Sequence, residues 1–133
     1  MTECPPIERF VRDALGCACP DEVFHSIVSQ AADSGQAAKI EIGGRLLIYL
    51  IDADRAPWRI DEVGVALQRG VAERNRRGFN RFRLVLVASL PERLRATAEQ
   101  AFGRSPHRDD RVHLHVVAAA AVSSFFPVRS RDA

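Results

Sequence analysis

The stretch KIEIGGRLLIYLIDAD, residues 39–54, decides the fold class. Lys39-Ile40-Glu41-Ile42 alternates polar and apolar residues, the period-two pattern of a strand with one buried face. Gly43-Gly44 supplies the positive-φ positions that a tight hairpin turn requires. Arg45 to Ile51 is rich in β-formers and mostly apolar, which reads as a strand buried on both faces. Such a strand needs cover on two sides, so helices are expected around it.

C-terminal to the hairpin, Ile60, Val63, Leu67 and Val71 predict a helix over 61–77, closed by Gly78. RFRLVLVA, residues 81–88, is a third strand. SLPERLRATAEQAF, residues 89–102, opens with Ser89 and Glu92 at capping-box spacing and places Leu94, Ala98, Ala101 and Phe102 on one face. After a polar loop at 105–110, VHLHVV (112–117) is a fourth strand.

N-terminal to the hairpin, Ile7, Phe10, Val11, Ala14 and Leu15 form a helical stripe, with Pro5 and Pro6 at its start and Gly16 at its stop. Pro20, Asp21 and Glu22 then suit the first turn of a second helix, whose stripe is Val23, Phe24, Ile27 and Val28 and whose end is Ser34-Gly35. The predicted order is α-α-β-β-α-β-α-β. This is an α/β chain with an N-terminal helical hairpin (5–35) followed by a mixed, mostly parallel four-stranded sheet. The β-hairpin and two right-handed βαβ crossovers occupy 38–118, with Lys39–Ile42 as an antiparallel edge strand, and 119–133 is a tail. No linker or repeat divides residues 1–133, and 133 residues suit one core.

Hydrophobic residues at 47% and charged ones at 27% fit a globular chain and argue against disorder. The apolar run VVAAAAV is far too short to span a bilayer, so no membrane partner is expected. MTECPPIERF lacks the basic and then apolar pattern of a secretory signal. A cytoplasmic location with reduced thiols is therefore expected. Charge is uneven: residues 1–68 hold six basic and eleven acidic groups, whereas 69–111 hold eleven arginines and five acids. Of the basic residues, eighteen are arginine and one, Lys39, is lysine, a skew that reflects composition more than function.

Cys17 and Cys19 flank the corner between the two expected N-terminal helices. Cys17 sits at the negative end of the first, while Cys19 sits where free N–H groups of the second favour a thiolate, so Cys19 is the expected reactive thiol. A Cys-x-Cys pair is not the Cys-x-x-Cys of thioredoxin-like proteins, and small buried residues at a helix corner are the simpler account. Two thiolates are also half of a zinc site, to which Cys4, His113 and His115 could add ligands.

Asp52 and Asp54 end the buried strand, where open α/β sheets bind ligands, and two carboxylates at this spacing could hold Mg²⁺ beside a phosphate. The segment opens like that of the haloacid-dehalogenase phosphatases, but Ala56 replaces the expected Thr or Val and no lysine follows, so that resemblance fails. A solvated loop, with Asp54 paired to Arg55 or Arg59, is the simpler reading. Arg74, Arg76, Arg77, Phe79 and Arg81 are the nucleic-acid candidates, of which Phe79 is the ring expected to be free for stacking. The modest net charge of +2 disfavours nucleic acid as a partner. The sequence thus points to a small binding or accessory domain that associates with itself or with another protein. The alternatives are a Mg²⁺-dependent phosphoryl-transfer or hydrolytic enzyme and a nucleic-acid-binding module.

Overall fold

The computed structural model describes residues 9–11, 27–31, 37–54, 62–107 and 109–122. Among these residues five strands and two long helices follow one another: β1 (Ile27–Ala31), β2 (Ala37–Ile42), β3 (Leu46–Asp52), α1 (Glu62–Arg77), β4 (Arg81–Ala88), α2 (Pro91–Arg104) and β5 (Val112–Ala118). A 3₁₀ turn at Ala119–Ala121 closes the series. Arg9–Val11 are helical, as the apolar stripe predicts.

The described residues form a five-stranded sheet in the sequential order β1-β2-β3-β4-β5. β1, β2 and β3 pair antiparallel, and β3, β4 and β5 pair parallel. The α/β class and the mixed sheet agree with the sequence reading. The second N-terminal helix does not hold at its C-terminal part, because residues 27–31 form β1, paired to β2 from Ile27↔Ile42 to Ala31↔Ala38. β2 is consequently an inner strand and not the edge, and the sheet is half antiparallel instead of mostly parallel. The rest of the expected helical hairpin, with its CAC corner, lies outside the described residues.

The hairpin turn follows from its glycines. Gly43 and Gly44 have φ of 61° and 67°, and Arg45 N–H donates to the Ile42 carbonyl at 3.0 Å. Both central residues are therefore in the left-handed region that a side chain resists. The carbonyl of Arg45 then accepts from Asn80 and Arg81 N–H, at 2.7 and 3.0 Å, which sets the start of β4 beside that of β3. Gly78, at φ 79°, ends α1, and Phe79 N–H returns to the Arg74 carbonyl at 3.0 Å, the six-to-one bond of a Schellman cap.

Both crossover helices cover one face. Leu47, Phe82, Leu84, Leu86, Val112 and Val116 meet Val63, Ala66 and Leu67 of α1 and Ala98 of α2 there. Sequential strand order with both helices on one face requires two crossovers of the same hand. On the opposite face Ile40, Ile42, Leu46, Ile48, Leu50, Val85 and Val87 pack with Phe10, Val11 and Val122. β4, buried from Phe82 to Ala88, and β3, whose residues enter both cores, have cover on both sides, which explains their apolar runs. α1 crosses it closely: Gly70 stands where a Cβ would lie 2.0 Å from Cζ of Phe82.

α2 begins one residue later than the capping box implies. Pro91 takes the first helical turn, Leu90 is the N-cap, and no side chain caps the helix. Proline prefers that first position, and Ser89 N–H is engaged elsewhere.

Candidate functional site

Asp52 and Asp54 come together at the C-terminal end of β3, as the sequence predicts. Asp52 is buried at 3% exposure, and its Oδ1 accepts Asp54 N–H at 3.1 Å. Asp54 Oδ2 accepts Ser89 N–H at 2.6 Å, while Ala53 N–H donates to the Val87 carbonyl at 2.8 Å. The carboxylates thus fold the chain back at the strand end and tie it to the end of β4. Among the described residues the strand order is sequential, without the reversal that opens the ligand crevice of doubly wound sheets. Arg55 and Arg59, the expected partners of Asp54, lie outside the described residues.

The arginine candidates separate. Arg74 is buried and forks onto Asp109, with Nη1–Oδ1 at 3.0 Å and Nη2–Oδ2 at 2.7 Å. Its guanidinium holds the Asp109 carboxyl down at about 2, assisted by Arg111 N–H. Arg77 forks onto Glu41 at 2.6 and 2.9 Å and its cation lies 5.0 Å from the centre of the Phe79 ring. Phe79, expected to be free for stacking, is 8% exposed and belongs to the helix-side core. Arg76 is exposed on α1, and Arg81 is exposed on β4 with Nη1 3.5 Å from His113 Nε2. The five residues therefore do not form one surface.

A polar cluster that sequence reasoning missed lies between β2, β3 and α1. Glu73 is 7% exposed, and its carboxylate accepts from Lys39 Nζ at 2.8 Å, Tyr49 OH at 2.5 Å and Arg77 Nη1 at 2.8 Å. Burial pushes this carboxyl upward, but the bonds from Lys39, Tyr49 and Arg77 outweigh it and bring it to about 2. Burial and the bond to Glu73 raise the Tyr49 hydroxyl well above its usual range. A carboxylate so saturated with donors is a poor base, and a hydroxyl so held is a poor acid. The cluster fastens α1 to the hairpin. Its signals in the sequence were the i,i+4 pair Glu73–Arg77, the alternation that puts Lys39 and Glu41 on one face, and the single lysine itself.

His113 and His115 share the sheet face away from α1 and α2, as the alternation of VHLHVV predicts, with Val112 and Val116 on the other. Each meets an arginine of β4: His115 Nε2 is 2.8 Å from Arg83 Nη1, as His113 is near Arg81. Burial, followed by the Arg83 and His113 charges, lowers His115 to about 4, so its ring is neutral near pH 7. Burial and the two arginines also lower His113. The expected zinc partners Cys4, Cys17 and Cys19 lie outside the described residues, and among the described residues no three His, Cys, Asp or Glu side chains gather as a metal cluster.

A shallow groove of about 400 Å³ between α1 and the end of α2 shares no lining residue with any of these groups. No helix among the described residues is long and apolar enough to cross a membrane. No family model, curated protein or solved structure matches the chain.

Proposed function

We propose that this chain is a non-catalytic binding or accessory domain that pairs with a second copy of itself through the outer edge of β5. The observation that carries the reading is the edge itself. Among the described residues β5 is the last strand of the sheet, and Val112–Ala118 contains no proline, lysine, arginine or acid to guard its outward backbone groups. In a parallel ladder the N–H and C=O of one residue point to the same neighbour. Arg111 C=O accepts from Phe82 N–H, so 113, 115 and 117 face β4 while 112, 114, 116 and 118 face outward. Of the outward groups, Val112 N–H turns back to the Asp109 carbonyl and Val116 C=O accepts from Arg95 Nη2 at 2.9 Å. The N–H groups of Leu114 and Val116 have no partner strand among the described residues and suit an antiparallel copy of β5.

The internal engagement of charged groups supports the same reading: Asp54, a candidate of the sequence, and Glu73 and Arg74 each serve an internal contact. Leu114→Pro removes an outward N–H without breaking a bond to β4, whereas Leu114→Ala removes comparable packing and keeps the N–H. Sedimentation equilibrium of the wild type and Leu114→Ala should show a concentration-dependent dimer that Leu114→Pro abolishes. A wild type that stays monomeric across the concentration range refutes the reading.

The Mg²⁺ alternative rests on the burial of Asp52 beside Asp54 at the strand end; divalent-metal binding lost in Asp54→Asn would favour it, and no binding would remove it. Any thiol chemistry is assigned to Cys19 ahead of Cys17, and unequal alkylation rates of the two would support that order.

A further inference from the structure

We propose that the sheet face at the start of β4 and β5 binds a phosphate-bearing anion through Arg81, Arg83, Arg111 and His113. The register Phe82↔Val112 and Arg83↔His113 places Arg81 beside Arg111 one step earlier. Phe82, Leu84 and Val112 belong to the helix-side core, so alternation turns these four residues to the other face. Neighbouring strands lie about 5 Å apart and alternate residues about 7 Å apart along a strand, so the four groups start from the corners of a small rectangle.

Arg81 and Arg111 are exposed, and neither has a carboxylate within ion-pair distance among the described residues; Arg111 Nη1 touches Asn80 Oδ1 at 3.3 Å. His115, accepting from Arg83, backs the inner side of the patch. Asp109 and Asp110 lie in the preceding loop, but the Asp109 carboxylate is turned to Arg74. Positive groups are thus crowded on one face, and the crowding is felt: burial and then Arg81 push the Arg83 guanidinium down. Clustered like charges with partial burial mark a site suited to a counter-charge. Guanidinium forks match the paired oxygens of a phosphate. Among the described residues Phe79 and Phe82 are buried on the helix side and Phe10 is buried in the core of the other face, so none of these rings offers a stacking platform and recognition falls on phosphate oxygens. This patch is distinct from the 74–79 helix end, whose arginines are mostly engaged, and it lies within one copy whether or not β5 pairs.

The test is calorimetric titration of the full chain with inorganic pyrophosphate and, separately, with a duplex oligonucleotide. The variants are Arg81→Ala/Arg111→Ala and, as a control of equal charge, Arg69→Ala/Arg93→Ala on the exposed sides of α1 and α2. His113→Gln, which keeps a polar group, is the milder probe. At least one ligand should bind, with affinity falling about tenfold or more in the patch variant and by less than about twofold in the control. Binding of pyrophosphate identifies a free anion, and binding of the duplex alone identifies a nucleic-acid backbone. Binding of neither, or equal weakening in patch and control variants, overturns the proposal.

Discussion

Gly70 and Gly64 lie on the same helix and should respond oppositely to one methyl group. A Cβ on Gly70 would strike the Phe82 ring, so Gly70→Ala should destabilise the fold by about 1–3 kcal/mol through overpacking. Gly64 has nothing within 4 Å of the same position, so Gly64→Ala should be neutral or stabilising by up to about 1 kcal/mol. Urea unfolding of both variants checks the pair. Glu73 makes a second residue-scale prediction. Its carboxyl is held at about 2 in the fold against 4.5 ordinarily, so the ionised form stabilises the native state. That contribution is complete above about pH 4.5 and is lost as the pH falls toward 2. Glu73→Gln should therefore flatten the acid limb of the stability curve measured by denaturation between pH 5 and 2, and an unchanged limb would contradict the assignment. Apart from the i,i+4 pair Glu73–Arg77, these contacts are not encoded by local pattern. Periodicity names which residues face inward, but the partners of Glu73 lie 24 and 34 positions away, and the helix's rotation over the sheet decides which side chains meet.

At the scale of elements, the hairpin, both crossover helices and the two later strands were legible because each carries its own local signal: glycines at a turn, a clean stripe, or an alternating run. β1 was not. Ile27-Val28-Ser29-Gln30-Ala31 continues a helical spacing begun at Val23 and Phe24, and its strand form is set by pairing to β2, a non-local choice that local pattern does not encode. The N-terminus of α2 was misread by one residue for a comparable reason, since Ser89 N–H is drawn to Asp54 across the strand ends. Arg74 and Asp109 join two elements, the end of α1 and the loop that leads into β5. Because Asp109 is 44% exposed, Arg74→Ala should cost only about 1 kcal/mol. Its clearer signature should be faster amide exchange confined to residues 109–112, measured by mass spectrometry.

For the whole molecule, the described residues concentrate polar fastening on one side and place the outer edge of β5 on the other. The cluster around Glu73 locks α1 over the antiparallel half of the sheet, whereas among the described residues the outer edge of β5, which closes the parallel half, is crossed by Arg95. The candidate site was only partly legible from sequence. His113, His115 and Arg81 were visible as chemistry-bearing residues, but their meeting with Arg83 and Arg111 depends on the β4–β5 register. Pairing two β5 edges in an antiparallel continuous sheet would bring the basic faces of both copies to the same side, so added salt should strengthen the dimer by screening them.

The central claim, pairing through β5, is tested most directly by amide exchange of residues 113–117 in dilute and concentrated protein. His113, His115 and Val117 should be protected at both concentrations, since they bond to β4. Leu114 and Val116 should exchange quickly when dilute and become protected when concentrated. Rapid exchange of Leu114 and Val116 at every concentration would contradict the account.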